Sequence, residues 1–324
     1  MTTAVPVIDI SPYLSNDDAQ ADGVVSDVRR ACEEIGFLVV SGHGVSGQLI
    51  DSMRDVSRSF FDLPVAEKLR YRAEPGQTLG YVPANTEYLA ATQGEQTPPD
   101  LKESFDIRRP DTPADEYYTN EHGQYFFRPY VWPGDPAGFE QTWRMYYDAM
   151  HNLSQTMMRI FAEALNLPRI YFDSKIDRSV DFLRVINYPA QVLPPAPGQL
   201  RAGAHTDYGT LTFVAVDDAE GGLQVHTKSG EWHDVPAIPG TFVVNIGDMM
   251  AQWTSGRWVS TLHRVVNPSK NPSRARRISV VFFQNPNYDT VIQPLPGCET
   301  AETFPAVTAG EWLRNKSLIA KKMA

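Results

Sequence analysis

The stretch GAHTDYGTLTFV, Gly203 to Val214, sets an imidazole and a carboxylate two residues apart at the head of an alternating apolar run. In an extended strand residues i and i+2 face the same side, so His205 and Asp207 project together while Thr206 faces away. Two donors on one face make half of a metal site. Among the seven histidines the best third donor is His263 in STLHRVV, with fifty-five residues intervening after Asp207. His43, His122, His151, His226 and His233 are weaker competitors, because none has a carboxylate two residues on along a shared face. Two imidazoles and one carboxylate leave half an octahedron open, a donor set suited to non-haem Fe(II) oxygen chemistry rather than to a closed structural site.

Fourteen residues past His263, RRISVVFF places Arg277 and Ser279 on one strand face. A guanidinium binds a carboxylate in bidentate geometry and a hydroxyl adds one more donor, so an inward Arg-x-Ser reads as a carboxylate clamp. Arg276 falls on the opposite face, and Arg274 and Arg276 are expected in solvent. NPSKNPSRA between His263 and Arg277 reads as an enlarged hairpin loop; a slip of one residue there would turn Arg276 inward instead.

The elements that must carry these residues follow from periodicity. VPVIDIS alternates as a short strand. SNDDAQADGVVSDVRRACEEIG reads as a helix with Ser15 as N-cap and Gly36 as stop, and FLVVSGHGV as a second strand turning at Gly42 and Gly44. SGQLIDSMRDVSRSFFDLP is a helix ended by Pro64. Glu74 to Pro136 is rich in proline and glycine and reads as loops covering a surface. AGFEQTWRMYYDAMHNLSQTMMRIFAEALNLP has one long helical period, and after Asp181 the period becomes two, through seven or eight strands with little helix between them. That count predicts a mainly β protein with flanking helices and a jelly-roll or small-barrel core. TAGEWLRNKSLIAKK is a terminal helix.

Composition sets limits on function. Hydrophobic residues at 42% and charged residues at 21% describe a folding chain, and the net charge of −10 repels polyanions, so no nucleic-acid partner is expected. No run of about 18 apolar residues occurs, which argues against a membrane span. The opening MTTAVPVIDISPYLSNDD lacks the basic and apolar regions of a secretory leader, and Cys32 and Cys298 form no disulfide framework, so a cytoplasmic protein is expected.

On VPVIDIS, GFLVVSGHGV, FFDLPVAEK and LKESFDI near the amino end, and NYP, HTDYGTLT, GGLQV, GDMMAQWTSG, STLHRV and RRISVVFF near the carboxyl end, the chain resembles the iron- and 2-oxoglutarate-dependent oxygenases, in the isopenicillin N synthase-like branch. The resemblance covers most of the chain. It implies a double-stranded β-helix core with His205, Asp207 and His263 holding Fe(II), and with Arg277 and Ser279 binding the far carboxylate of 2-oxoglutarate. Tyr188 of NYP matches a tyrosine that commonly assists there, while Ile186 stands where many plant members have Asn. The implied organisation is an amino-terminal non-haem dioxygenase region over 1–150, then a long helix and oxygenase core over 151–324, forming one compact unit. The implied reaction consumes O2, oxidatively decarboxylates 2-oxoglutarate to succinate and CO2, and oxidises a small-molecule substrate. Hydroxylation is the default outcome, with desaturation or ring closure as others. The alternatives are an oxidase of the isopenicillin N synthase kind, which uses no 2-oxoglutarate, and a metal-binding β-barrel module without turnover. Glu74 to Pro136 would cover the site, with Tyr81, Phe105, Phe213 and Phe283 as candidate walls.

Overall fold

Alternating residues build two facing β-sheets, and the computed structural model describes them within residues 5–15, 18–72, 79–217, 219, 221–270, 272–300 and 306–321. In chain order the strands are β1 (Val7–Asp9), β2 (Phe37–Ser41), β3 (Gly80–Val82), β4 (Glu103–Ile107), β5 (Phe182–Tyr188), β6 (Ala202–His205), β7 (Leu211–Ala215), β8 (Leu223–His226), β9 (Trp232–Asp234), β10 (Phe242–Ile246), β11 (His263–Val265) and β12 (Arg277–Gln284). The large sheet runs β1-β2-β10-β7-β12-β5-β4-β3 and the small one β6-β11-β8-β9. Only β1 and β2 pair in parallel; the other pairs within the two sheets are antiparallel. This is a double-stranded β-helix, or jelly roll, with flanking helices.

The period of two decides what each face of the large sheet meets. On β12, Ile278, Val280 and Phe282 enter the core shared with the helices, whereas Arg277, Ser279, Val281 and Phe283 line a cavity between the sheets. Burying each of the first three side chains contributes roughly 1.5–3 kcal/mol. Because both faces are covered, the strand reads in sequence as one continuous apolar run. The helix-side core is closed by Phe139–Ala164, whose Trp143, Met150, Met157 and Phe161 recur at helical spacing and are fully buried. Gly36, at φ +67, lies so close to the Val259 carbonyl that a Cβ would stand 1.9 Å from its oxygen, so only glycine turns the chain there into β2.

Several local expectations change. Ser15 does not start a helix: it closes the short helix Ser11–Leu14, its N–H bonded to the Ser11 carbonyl, and the next helix begins at Asp18. The helix before Pro64 ends at Phe61, and Pro64 caps the following helix Val65–Leu69. The region read as loops and short pieces contains β3 and β4, and β4 is buried throughout because it lies between β5 and β3. The connection 266–276 is not a hairpin, since β11 pairs in the small sheet and β12 in the large one. β1 to β4 belong to the same sheet as β5, β7, β10 and β12, and helix Phe139–Ala164 runs across residue 150. Among the described residues no helix is long and apolar enough to cross a membrane.

Candidate active site

β6 ends at His205, so Asp207 is presented from the coil beyond the strand and not from the strand itself. Backbone bonds fix that coil: the Asp248 N–H donates to the Asp207 carbonyl at 2.7 Å, Gly247 to Thr210 at 2.9 Å and Met249 to Gly209 at 3.0 Å. The approach requires glycine, because a Cβ on Gly247 would stand 2.2 Å from the Gly209 oxygen. His263 opens β11 directly opposite His205, and the imidazole centroids are 4.3 Å apart.

The three side chains offer donor atoms within 4.8 Å of one another. Nε2 of His205 and of His263 lie 3.8 and 3.7 Å from Asp207 Oδ1. Each Nδ1 meets a backbone carbonyl, Gly203 at 2.7 Å and Thr261 at 3.0 Å. A carbonyl can only accept, so Nδ1 carries the proton and Nε2 turns its lone pair to the shared centre. Asp207 Oδ2 accepts from the Asn245 amide at 2.7 Å, which leaves Oδ1 facing the imidazoles. Burial and the neighbouring His263 pull the His205 pKa down to about 3, keeping the ring neutral. Burial pushes Asp207 up, but His263, His205, Asn245 and Thr212 outweigh it and hold the carboxylate ionised. Two inward Nε2 atoms, a neutral His205 and an ionised carboxylate are what a divalent cation needs, so the residues fit Fe(II).

The same cavity, about 680 Å³, is lined by Arg277, Ser279 and Tyr188. Arg277 and Ser279 are 3% exposed, with Arg277 Nε 3.3 Å from the Ser279 hydroxyl, and the carbonyls of Asp217 and Ala219 steady the guanidinium at 3.3 and 3.4 Å. Tyr188 is the direct β5 partner of Arg277. Arg276 turns the other way, to Asp62 at 2.5 Å and Asn187 at 2.8 Å, so no register slip has occurred and it is paired rather than free in solvent.

The five other histidines do not join the site. His43 bonds to Gly240 and His151 to Asp181, His122 stacks on Tyr288, and His226 and His233 sit on the β8–β9 hairpin. Of the four aromatics expected as walls, Tyr81 and Phe283 line the cavity, whereas Phe105 and Phe213 face the helices.

Sequence reading missed a charged wall on β4 and β5. Arg184 forks onto Asp106 at 2.7 and 2.9 Å and reaches Glu87 at 3.1 Å; Lys102 pairs with Glu87 at 2.9 Å. Lys102, Ser104, Asp106 and Arg108, at every second position of LKESFDIRR, carried the signal, together with the lone charge Arg184 inside the apolar FLRVINY. It also missed Asn245, a lone amide inside the buried strand FVVNI, and the task of the terminal helix Ala309–Lys321, read from sequence as a helix, which brings Leu313 and Ser317 to the cavity.

A jelly roll with two imidazoles and one carboxylate at a buried, cation-rich cavity defines a mononuclear non-haem iron oxygenase as the class. Comparison with known proteins agrees. Residues 5–134 match the family "non-haem dioxygenase in morphine synthesis N-terminal" and residues 180–286 match the 2OG-Fe(II) oxygenase superfamily. A homoarginine-6-hydroxylase of Arabidopsis thaliana is 34% identical over 97% of this chain and 88% of its own. A full-length Neurospora crassa protein, crystallised with alpha-KG and thymine, superposes with a TM-score of 0.83 at 30% identity, covering 97% of this chain and 96% of that one. JOX2, crystallised with 2OG, Fe and JA, gives 0.76 at 25% identity over 98% and 85%. The chain belongs to the 2OG-Fe(II) oxygenase superfamily, and it is an Fe(II)/2-oxoglutarate-dependent dioxygenase.

Proposed function

We propose that the enzyme hydroxylates a small-molecule metabolite, with His205, Asp207 and His263 holding Fe(II) and with Arg277, Ser279 and Tyr188 binding the distal carboxylate of 2-oxoglutarate. Iron and 2-oxoglutarate, once bound, supply the oxidative decarboxylation by O2 to succinate and CO2 and the oxidising power for the substrate C–H bond. The chain's own share is positional. Gly203 and Thr261 carbonyls aim the imidazoles, Asn245 orients the carboxylate, and Arg277 fixes the far end of the co-substrate. The cavity volume of about 680 Å³ falls in the range of small-molecule sites, and its enclosure by both sheets keeps water from the reacting atoms. Two buried, unpaired cysteines suit a reducing, cytoplasmic setting. The two halves of the chain act as one unit, because residues from both line the cavity.

The observation that carries this reading is the buried Arg277 guanidinium beside Ser279 in the same cavity as the triad. Truncating one member of a buried charge pair costs roughly 2–5 kcal/mol, so Arg277→Leu should raise the KM for 2-oxoglutarate by about thirty-fold to a few thousand-fold. Arg277→Lys should restore only part of it, since an ammonium lacks the planar fork. Succinate formation against 2-oxoglutarate concentration measures both. Product formation by the wild type with Fe(II) and O2 but no 2-oxo acid would overturn the co-substrate assignment in favour of an oxidase.

A further inference from the structure

The described residues lining the cavity include five cations, Arg72, Lys102, Arg108, Arg184 and Arg277, against two carboxylates, Glu87 and Asp207. This excess of positive charge stands inside a protein whose net charge is −10. Lys102 and Arg184 are accounted for by Glu87, Asp100 and Asp106. Arg277 is taken by the co-substrate under the reading above, on which this inference rests. Arg72 is exposed at the rim, where solvent screens it. Arg108 is different. Its Nη1 donates to the Val180 carbonyl at 2.8 Å and its guanidinium lies between the rings of Phe126 and Phe182, 5.1 and 5.3 Å from their centroids. No carboxylate among the described residues comes within ion-pair distance of it. Burial without a close acid pulls its pKa down to about 10, which leaves it charged at neutral pH.

Strand register says which molecule Arg108 can serve. β4 pairs with β5 up to Ile107 opposite Leu183, so Arg108 falls beside Phe182, while Arg277 is opposite Tyr188. Six residues of strand separate the two cations, roughly 20 Å at the usual rise, and a five-carbon diacid anchored on Arg277 is too short to reach Arg108. One cross-strand row instead links Arg108 with the triad: Phe182 pairs with Phe283, Phe283 with Thr212, and Thr212 with Asn245, which bonds Asp207. The floor between cation and triad is therefore aromatic, with Phe182 and Phe283 centroids 5.8 Å apart.

We infer that the primary substrate is an organic carboxylic acid, its carboxylate paired with Arg108 and its apolar body lying across Phe182 and Phe283 toward His205, Asp207 and His263. A cationic substrate finds no free acid in the described wall, because both Glu87 oxygens are engaged by Arg184 and Lys102 and Asp207 is a metal ligand. A neutral one would leave a half-desolvated guanidinium without a counter-charge.

The test uses the anaerobic Fe(II)·2-oxoglutarate enzyme in titration calorimetry with matched probes: benzoate and benzamide, phenylacetate and phenylacetamide, hexanoate and hexanamide. At least one acid should bind about tenfold or more tightly than its amide. Arg108→Gln should bring that acid down to the level of its amide, and Arg108→Lys should restore part of the preference, while 2-oxoglutarate affinity stays within about two-fold of wild type in both. Amides binding as well as acids, an acid preference that survives Arg108→Gln, or no acid binding at millimolar concentration would each overturn the inference. Loss of 2-oxoglutarate binding by the wild type would instead overturn the co-substrate assignment itself.

Discussion

Asp207 uses its two oxygens for different tasks: Oδ2 is held by Asn245 at 2.7 Å and Oδ1 faces both imidazoles. Asp207→Ala removes the only anionic donor, and two neutral imidazoles hold Fe(II) poorly, so iron stoichiometry after anaerobic loading should drop to a small fraction of wild type. Full retention would mean that the metal sits elsewhere. Asn245→Ala keeps all three proposed ligands yet frees the carboxylate to rotate, and metal affinity should fall by about 10–100-fold, the usual cost of losing an orienting partner. A pH effect follows from His205. Its pKa in the folded, metal-free chain is about 3, against an ordinary value near 6.5 once unfolded. Between those values the unfolded chain binds more protons, so stability declines as pH falls through that window, by at most about 1.4 kcal/mol per pH unit from this group. Urea midpoints of the metal-free protein from pH 7 to pH 4 should drop more steeply for wild type than for His205→Gln; parallel slopes would refute the assignment. The His-x-Asp pair was legible because its spacing is local, and the distant His because the chain has only seven histidines to choose from. Asn245 was harder to see, since an amide in an apolar strand announces a buried bond without naming its partner, 38 residues away.

At the level of elements, the decisive fact is that β12 keeps register. Arg277 faces the cavity and Arg276 reaches Asp62, so the long 266–276 connection changes sheet without shifting the pleat. The apolar run ISVVFF showed that this strand would be buried on both sides, which is why the inward charge could be assigned from sequence. LKESFDI hid its strand for the opposite reason: polar residues at every second position, Lys102, Ser104 and Asp106, looked like loop until Asp106 and Arg184 were seen to neutralise each other across the β4–β5 pair. The terminal helix was visible by periodicity, but its task was not, because its partners lie 104 and 68 residues back. Trp312 Nε1 donates to the Tyr208 carbonyl at 3.0 Å, and Lys316 pairs with Asp248 at 2.9 Å. Both tie the helix to the segments flanking the triad. Trp312→Ala removes that bond and the packing of the indole, and should raise the primary substrate's KM several-fold while leaving the KM for 2-oxoglutarate nearly unchanged; comparable rises in both would indicate general loosening of the site.

Across the whole molecule, a rigid two-sheet frame supports walls of unequal firmness. The region from Glu74 to Pro136 was read as one cover, yet its described part divides: β4 is a buried interior strand, whereas 83–101 holds only the 3₁₀ turn Leu89–Gln93 and loops. That loop segment touches the frame through Asp100, which accepts from the Gly203 N–H at 2.9 Å, and through Glu87, paired with Arg184 of β5 at 3.1 Å, and it packs against both β6 and the terminal helix. Segments with few interior backbone bonds open at low free energy, and ligands that need them closed slow that opening. Each ligand held near a hundred times its dissociation constant stabilises the closed form by about 2.7 kcal/mol, or roughly a hundred-fold in exchange protection where opening must release that ligand. Hydrogen exchange of the anaerobic Fe(II) enzyme, with and without 2-oxoglutarate and substrate, should therefore slow in 83–101 and in helix Ala309–Lys321. β4, already held by β3 and β5, should exchange slowly in both states and change little. Equal protection of 83–101 in the two states would make it a static wall, and entry would then have to occur elsewhere along the cavity rim.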